Sequence, residues 1–581
     1  MQAPTFLYVG EWEYKSARHG AWRELYGMAS TIFNKIQTIV NSHISKRYGD
    51  SKAYSLQLRS ALKVLLKENY KKYDFSESEQ NSKDILPQSD FQESLAKVNE
   101  KETRRKSAGV FYTDSDVTDF MVLNSFYHLS NPALVSVTPS AQIQVHLKGL
   151  SEDSIRKVLL SSVFDPTCGA GAFLVSTLAQ KIKLLKASRL DNISIVDIVR
   201  TIQGNDIEST STDITKLRLF FLAIDSFEEE LDVKTIANVI CAGFENVDII
   251  DYKTNIFSKY DIIVGNPPYI EYSKYDGTVS NNYGNVYADV MKNVSTMLRG
   301  NGVLAFVVPL SYISTARMSE IRQYVHSHTG KQLLLSFADR PDCLFSGVHQ
   351  KLNIVFAQKT RETEGIYTSK YYHWYKTERE NLFSNIPLAK IDNVDNKYWP
   401  KIGDTTASSI YRKILSYEGD DMLSLTGSKT KGVVSINLRA CFWMKVFSKE
   451  MDSNSYKEYK IDKSKVAFVL CLLNSSLFFL IWTIISDGWH VTNKELSFIR
   501  IPTRIPKPKK WPILLQKLED KLESTKEYVG TKQVDYEYKH KLCKNIIDEI
   551  DNELKSVYKL SETELNYIKS FNEKYRISDG A

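Results

Sequence analysis

The chain has 581 residues, a length that indicates several domains rather than one hydrophobic core. Its composition, with 43% hydrophobic, 25% charged and 12% aromatic residues, is that of a soluble globular protein, and its net charge of +7 permits a polyanionic partner without proving one. The six cysteines contain no CxxC pair and their spacing fits neither a zinc site nor a disulfide framework, so we expect no metal. The N-terminus lacks a basic stretch followed by an apolar core, so we expect no secretory signal and a cytoplasmic location.

Residues 1–104 are predicted to form a helical N-terminal region. Apolar residues recur there at spacings typical of one helix face: Trp22, Leu25, Met28, Ile32 and Ile36, and then Leu56, Leu58, Leu62, Leu65 and Leu66. Residues 75–108 are polar and charged with few large apolar groups, so we interpret them as a linker or flexible loop.

Residues 105–360 are predicted to form an α/β domain. Short apolar runs alternate there with helical patterns, and the strand candidates are VLLSSVFD (158–165), IVRTIQGND (198–206), ANVICAG (237–243), KYDIIVGN (259–266), GVLAFVVP (302–309) and LNIVFAQK (352–359). Their hydrophobicity is continuous rather than alternating, which indicates strands buried on both faces. We therefore expect a largely parallel sheet covered by helices.

Residues 361–510 are less regular and rich in Tyr, Trp, Lys and Asn, and they are predicted to form a separate α+β domain. The proline-rich stretch IPTRIPKPKKWP (501–512) marks its end. Residues 511–581 are predicted to be helical, with a capping box between Ser561 and Glu564.

One apolar run has the length of a membrane span. Val466–Ile485 contains twenty residues without a charge, but Asn474, Ser475 and Ser476 interrupt it. We favour a buried helix pair or hairpin, with a membrane span as the alternative.

The first chemical motif is FDPTCGAGAFLVSTLAQ, which begins at Phe164. A buried strand is predicted to end at Asp165, followed by a tight turn through Gly169 and Gly171 and a helix from about Phe173. Glycines let a backbone adopt unusual dihedral angles and approach a ligand closely. The pattern predicts a nucleotide-type site at the carboxyl end of a parallel strand.

A second acidic turn, TIQGNDIES, ends the next strand with Asp206 and Glu208. An acidic side chain at this position can accept hydrogen bonds from ribose hydroxyls. The alternative is a helix N-cap, because Asp, Ser and Thr are frequent in this turn.

The third motif is Asn266-Pro267-Pro268-Tyr269, directly after a buried strand. Two prolines cannot continue a central strand, so the chain must turn out at the edge of the sheet. This turn offers two acceptors, the Asn266 side-chain oxygen and the Pro267 carbonyl, which can bind both hydrogens of an amino group. Tyr269 offers a flat face for a planar ring. These features predict a site that activates the exocyclic amine of a nucleobase.

The order of these motifs resembles that of the gamma-type N6-adenine DNA methyltransferases of restriction–modification systems, strongly over residues 105–360. The resemblance implies a doubly wound, Rossmann-like domain that binds S-adenosylmethionine. GVFYTDSDVTDFMV (Gly109–Val122) corresponds to the segment that closes over the cofactor, with Asp114 in place of the usual proline and Thr113 expected to cap a helix together with Asp116. The implied cofactor-binding residues are Tyr112, Thr113, Asp165, Pro166, Cys168, Gly169, Gly171, Phe173, Asp206, Glu208 and Asn266. The implied catalytic residues are Asn266, Pro267, Pro268 and Tyr269.

Other positions follow the family less closely. The residue that meets the cofactor adenine is expected among Phe244, Glu245 and Asn246, and Phe345 is expected to stack on the target base. Residues 472–502 resemble the end of a target-recognition domain, which is why we assign that role to residues 361–510. There, Trp489, His490, Lys494 and Arg500 are expected to face DNA; the alternative is an amphipathic surface loop.

The sequence therefore predicts a site-specific, monomeric enzyme that methylates N6 of a flipped-out adenine in double-stranded DNA, without a membrane. Whether a separate endonuclease or accessory subunit takes part is left open. The alternatives are a methyltransferase for protein glutamine or RNA bases, a DNA-binding subunit with a decayed fold, and a bifunctional restriction enzyme. For a nuclease, Glu13-Tyr14-Lys15 is a stray match to Glu-x-Lys with no preceding Asp.

Overall fold

The strands and helices below come from a computed structural model. It describes residues 31–49, 51–73, 75, 88–98, 113–188, 190–228, 231–250, 259–275, 283–362, 364–392, 397–427, 430–530 and 536–578. Contacts divide the chain into two units. The first comprises Met1–Val122 and His146–Ile270, and the second comprises Leu123–Val145 and Glu271–Ala581. The domain boundaries predicted at 104, 360 and 510 stay predictions.

The first unit carries four neighbouring strands in the order β3-β2-β1-β4. They are β1 (Val163–Asp165), β2 (Ile202–Asn205), β3 (Phe244–Glu245) and β4 (Tyr260–Gly265). All three pairings are parallel, with Val163 beside Ile202 and Ile262 and with Gly204 beside Phe244. The prediction of buried parallel strands is confirmed here, since every residue of β1 is buried.

Helices accompany these strands. Within or entering the first unit they are residues 31–48, Lys52–Leu66, Gln88–Lys97, Ser115–Ser130, Ser140–Lys148, Glu152–Leu159, Ala172–Ala187, Ile195–Arg200, Ser209–Asp225 and Val233–Ala242. Leu58, Leu62 and Leu65 are fully buried, which confirms the apolar face of the Lys52–Leu66 helix, whereas Leu56 is 60% exposed and lies off that face. The predicted positions Trp22, Leu25 and Met28 lie outside the described residues.

Two predictions in this unit are wrong. The presumed linker contains the helix Gln88–Lys97, because Phe91 and Leu95, four residues apart, bury one face of it. The run ANVICAG is not a strand but the end of the helix Val233–Ala242, which begins where the Asp232 carboxylate accepts a hydrogen bond from Thr235 N at 3.1 Å.

The second unit carries five neighbouring strands in the order β5-β7-β6-β8-β9. They are β5 (Leu298–Pro309), β6 (Gly330–Phe337), β7 (Leu352–Lys359), β8 (Gly365–Tyr372) and β9 (Ala389–Lys390). Strand β7 is antiparallel to both β5 and β6, and β9 is antiparallel to β8, whereas β8 is parallel to β6. The prediction of a largely parallel sheet is therefore wrong for these strands.

The rest of the second unit is mixed α+β. A three-stranded antiparallel sheet has the order β11-β10-β12, and a hairpin follows it; the strands are β10 (Lys431–Asn437), β11 (Val446–Phe447), β12 (Tyr456–Asp462), β13 (Glu527–Tyr528) and β14 (Tyr536–Glu537). The helices are Val286–Ser295, Ser311–Ser314, Ser319–Thr329, Thr405–Leu415, Val466–Leu473, Ser476–Ile485, Asn493–Phe498, Lys510–Ser524, Lys544–Val557, Glu562–Ser570 and Glu573–Ile577. The capping box of Ser561 and Glu564 is confirmed.

The apolar run Val466–Ile485 forms two buried helices, as favoured from the sequence. They meet at an angle of 63° at Asn474 and Ser475. The Asn474 amide donates to Val446 O at 2.9 Å, and the Asp551 carboxylate accepts from the N–H groups of Ser476 and Leu477. In the described part of the chain, no single helix is long and apolar enough to cross a membrane, and this bent pair alone passes on length and composition.

Candidate active site

The acidic and amide residues predicted to be functional follow neighbouring parallel strands of the first unit. Asp165 ends β1, Asp206 follows β2, Glu245 ends β3 and Asn266 follows β4. The carboxyl ends of parallel strands lie at the same edge of a sheet, which is where α/β proteins bind ligands. The sequence motifs are therefore brought to one edge.

The glycine turn after β1 has the backbone that the motif predicts. Gly169 and Gly171 have φ angles of +52° and +82°. A Cβ on Gly171 would lie 2.6 Å from Thr215 Cγ2, so only glycine fits there, and Gly171 is also the N-cap of the helix Ala172–Ala187. At Gly169, by contrast, no described atom lies within 4 Å of the Cβ position. A ligand can therefore approach the backbone at Gly169.

Asp206 holds this turn in place. Its Oδ2 accepts a hydrogen bond from Gly169 N at 2.8 Å and its Oδ1 accepts one from Glu208 N at 2.9 Å. Both carboxylate oxygens thus order the backbone around the turn, and the exposed Glu208 is the better placed of the two acids to reach a ribose. Between them, Ile207 is 64% exposed. Sequence reasoning missed Ile207, because an apolar residue between two acids carries no pattern of its own.

The Asp165 carboxyl and the Cys168 thiol are buried beneath the turn. Asp165 is 1% exposed and its Oδ1 accepts from Thr167 N at 3.1 Å. Burial raises the pKa of Asp165 well above its ordinary value, and burial likewise raises the pKa of Cys168. These groups, with the buried Pro166 and Phe173, support the turn from below.

Residues of the Ser209–Asp225 helix support the turn from the side. Thr215 Oγ1 donates to Gly169 O at 2.8 Å, and the Arg218 guanidinium donates to Ala170 O. Gln92 fixes Arg218 in turn, since its Oε1 accepts from Arg218 Nε at 3.2 Å. Sequence reasoning missed all three, although the i, i+3 spacing of Thr215 and Arg218 puts them on one helix face.

The Asn-Pro-Pro-Tyr turn follows β4 as predicted. The Asn266 Nδ2 amide donates to Thr113 Oγ1 at 3.2 Å, so the segment near Thr113 reaches this turn. Tyr269 OH donates to Asn266 Oδ1 at 2.5 Å. Pro267 is buried, and Asn266, Pro268 and Tyr269 are half-buried. The helix after Thr113 begins at Ser115. The expected cap, with Asp116 three residues after Thr113, requires a helix that begins at residue 114, so the observed helix starts one residue too late for it. Tyr112 lies outside the described residues.

The end of β3 separates the three residues expected near a cofactor adenine. The Phe244 ring lies close to Gly204, where a Cβ would come within 2.5 Å of its Cε1. Glu245 is exposed. The Asn246 amide donates to Asp206 O and Thr212 Oγ1, both at 2.9 Å, so it braces the acidic turn.

The residues expected to contact DNA belong to the second unit, and two of them are unsuited to that role. Phe345 is fully buried, so its ring is not available to stack on a base. Lys494 Nζ donates to the carbonyl oxygens of Ser314 and Ile485, each at 3.0 Å. Arg500 is 41% exposed and 3.8 Å from Asp421. Trp489 and His490 line an open cavity.

The α/β fold of the first unit, with a glycine turn after β1, an acidic turn after β2 and Asn-Pro-Pro-Tyr after β4, has the features expected of a Rossmann-like methyltransferase domain. Residues 200–342 match the family described as Eco57I restriction-modification methylase. The resemblance to restriction–modification adenine methyltransferases is thereby confirmed for this part of the chain.

Individual relatives agree with this family. The chain is 25% identical over 207 residues to Type II methyltransferase M.AccI of Acinetobacter calcoaceticus, a match that covers 31% of this chain and 36% of that protein. It is 29% identical over 109 residues to Modification methylase CviBIII of Paramecium bursaria Chlorella virus NC1A, covering 18% of this chain and 29% of the relative. The matches thus span about a third of each relative.

Among solved structures, the Type IIL restriction-modification enzyme MmeI in complex with DNA aligns with 95% of this chain and 95% of its own, at 14% identity and a TM-score of 0.49. A TM-score below 0.5 does not by itself establish a shared fold.

Proposed function

We propose that the chain is a site-specific DNA methyltransferase that transfers a methyl group from S-adenosylmethionine to N6 of adenine in double-stranded DNA. The observation that carries this proposal is the Asn266 turn. It presents a side-chain oxygen, with an aromatic ring beside it, at the same strand edge as the glycine turn. The match to a restriction-modification methylase family supports DNA as the substrate, and the net charge of +7 suits a polyanion.

The residues of the strand edge fit S-adenosylmethionine. The backbone at Gly169 is open to a ligand's methionine end, and the exposed Glu208 carboxylate can accept hydrogen bonds from the ribose hydroxyls. Ile207 and Phe244 offer apolar surface for the adenine ring. When bound, this cofactor supplies an electrophilic methyl group on its sulfonium sulfur.

The chemical task of the protein is to make a poor nucleophile reactive. The lone pair of the adenine amine is delocalised into its ring. Asn266 Oδ1 and the Pro267 carbonyl oxygen each accept one N–H of that amine, which draws the nitrogen towards a tetrahedral geometry with its lone pair free. Because both acceptors are held by a rigid turn, this polarisation needs little reorganisation during the reaction. The amine nitrogen forms the new C–N bond as the C–S bond breaks, and its surplus proton goes to water.

The target adenine must leave the base stack of the duplex before it can react. An adenine inside a duplex cannot contact a turn at a strand edge, so the proposal includes extrusion of the target base and its placement against Tyr269. Target recognition is assigned to residues 361–510, and the sequence read there is left open. A partner subunit is likewise left open.

The test is a comparison of nucleosides after incubation of unmethylated plasmid DNA with the protein and S-adenosylmethionine. Mass spectrometry is expected to find N6-methyladenine. The variant Asn266→Ala is expected to lose at least about a hundredfold of this activity, as expected when a group that stabilises the transition state is removed, while it still binds the cofactor in calorimetry.

The matched control is Asn238→Ala, which removes an exposed amide from the Val233–Ala242 helix of the same unit and should leave activity unchanged. Full activity in Asn266→Ala would refute the assigned chemistry. Methyl transfer to RNA or to protein glutamine, but not to DNA, would replace the proposed substrate.

A further inference from the structure

A cavity of about 330 Å³ lies within the second unit, among residues that the methyl-transfer chemistry does not use. Three separate segments line it: the end of β5 with the following turn, the two ends of the loop 338–351 between β6 and β7, and the loop 486–490. Its lining residues are Pro309, Leu310, Ser311, Asp339, Arg340, His349, Gln350, Lys351, Asp487, Trp489 and His490. The cavity is open to solvent on one side, and several charged and polar side chains line it, as a site for a polar ligand requires.

Hydrogen bonds and close packing fix the loop 486–490 in place. The buried Lys401 ammonium donates to Ser486 O at 2.7 Å. Gly488 has a φ of +73°, and a Cβ there would lie 2.5 Å from the Tyr371 hydroxyl. Trp489 O accepts from Ala440 N at 2.9 Å. These contacts fix the backbone that carries Trp489.

The two acidic side chains of the cavity already form hydrogen bonds or ion pairs within the protein. The Asp487 carboxylate accepts from Trp489 N at 2.9 Å, from His490 N at 2.8 Å and from the His490 ring at 2.6 Å. Burial would raise the pKa of Asp487, but these hydrogen bonds outweigh burial and lower it. Asp339 lies 3.3 Å from Lys351 Nζ, and both side chains are mostly buried.

Arg340 is a charged residue of the cavity that forms no such ion pair in the part of the chain that the structure describes. It is exposed, and within the described residues no carboxylate forms an ion pair with it. Its guanidinium carbon lies 5.0 Å from the centroid of the Trp489 ring, which is cation–π range. A stacked guanidinium keeps its N–H donors free in its own plane, and a planar fork of donors matches the oxygens of a phosphate.

We propose that this cavity is a phosphodiester-binding subsite, in which Arg340, oriented by Trp489, contacts the backbone of the bound DNA. The assignment rests on the proposed function, because it names a contact with that DNA. Ser311 and Gln350 line the same cavity and can add neutral donors to the phosphate. Such a contact fixes the position of a strand without reading its sequence.

The test measures the salt dependence of DNA affinity by fluorescence anisotropy of a labelled duplex, with S-adenosylhomocysteine present to prevent turnover. Each neutralised phosphate contributes about −0.9 to the slope of log affinity against log salt concentration. Arg340→Gln is expected to reduce the slope by about 0.9. Between about 50 and 200 mM salt, the affinity of the unmodified protein should therefore fall about 3.5-fold more than that of the variant.

Two further variants frame this result. Arg340→Lys keeps the charge and should retain most of the slope, although it loses the planar fork. Arg200→Gln removes an exposed arginine that precedes the amino end of β2 in the first unit and should leave the slope unchanged. Cofactor affinity measured on every variant verifies the fold of the first unit, and the circular dichroism of each variant verifies the fold of the whole chain.

An unchanged slope in Arg340→Gln would overturn the phosphodiester subsite, and so would a changed preference among DNA sequences at an unchanged slope, which indicates contact with a base edge. In both cases the unmodified protein still binds and methylates DNA, so the proposed function stands. If the unmodified protein binds cofactor but has no affinity for DNA, the proposed function and the subsite both fail.

Discussion

Replacing Gly171 with alanine tests how the glycine turn after β1 is built. The residue has a φ of +82°, in the left-handed region, which costs a residue with a Cβ about 1–2 kcal/mol. The new Cβ would also lie 2.6 Å from Thr215 Cγ2, an overlap that costs about 1–3 kcal/mol in a packed site. We therefore expect the free energy that is needed to unfold this turn locally, its opening free energy, to fall by roughly 2–5 kcal/mol.

Most of the steric part of this cost should be removed when the opposing side chain is shortened. Thr215→Ala alone loses the hydrogen bond from Thr215 Oγ1 to Gly169 O, which contributes about 0.5–1.5 kcal/mol. In the double variant, the backbone strain and this loss remain, but the 2.6 Å contact with Cγ2 is removed and only a 3.1 Å approach to the Cβ of residue 215 is left. The two substitutions together should thus cost roughly 1–3 kcal/mol less than the sum of their separate effects.

Native-state hydrogen exchange of the first amides of the Ala172–Ala187 helix measures this opening free energy directly. Gly300→Ala is the control for a glycine substitution as such, because no described atom lies within 4 Å of its Cβ position and its φ is not positive. Costs that add to within about 0.5 kcal/mol would refute the steric reasoning, since independent sites behave in that way.

Three further outcomes are expected. Tyr269→Phe should keep kcat/KM within about threefold, whereas Tyr269→Ala should lower it roughly tenfold to a hundredfold through lost stacking, as measured with plasmid DNA; equal losses would contradict a stacking role. Asp206→Asn should weaken S-adenosylmethionine binding by about tenfold or more in calorimetry, because charged hydrogen bonds to Gly169 N and Glu208 N contribute about 1.5–3 kcal/mol each; an unchanged affinity would mean that the turn needs no such support. Burial lowers the pKa of Lys181 from 10.5 to about 7, so between these values the unfolded chain binds more protons than the folded one and stability rises with pH, by at most about 1.4 kcal/mol per pH unit. The melting temperature of the unmodified protein should therefore rise with pH over this range, and it should rise less in Lys181→Met. An identical pH profile of the two melting temperatures would exclude the contribution of Lys181.

The motifs of the strand edge could be predicted because each is a local event at one strand end. Asp165, Asp206 and Asn266 each follow an apolar run directly, so a reading of the chain in order assigns them to strand ends. Parallel pairing then brings those ends to one edge without any knowledge of long-range contacts. The groups that support the turn, Thr215 and Arg218, lie on a helix and could not be found in this way.

The wrong secondary-structure predictions in the first unit fall on short segments whose composition is compatible with two different structures. The run 237–243 is apolar and short, and such a run does not distinguish a buried strand from a helix. The N-cap at Asp232 decides between them. Likewise, residues 88–97 are polar in composition, but two apolar residues spaced by four suffice to dock a helix whose Gln92 reaches Arg218.

The second unit could be predicted least, because its features depend on contacts between distant segments. The direction of β7 between β5 and β6 is set by sheet pairing and not by the composition of β7, which reads as a buried strand in either orientation. Arg340 has no motif around it, and its relation to Trp489 appears only when residues almost 150 positions apart are brought together.

The hydrogen bond from Tyr269 to Asn266 means that the acceptor oxygen is already satisfied before any amine arrives. An incoming amine exchanges one hydrogen bond for another, so the oxygen adds little net attraction for it. A base that carries a keto oxygen in place of the amine would displace the hydroxyl without offering a donor in return. That base would leave two acceptors facing each other, at a penalty of about 1–3 kcal/mol. Under the proposed function, the turn therefore discriminates against the wrong base more strongly than it attracts the right one.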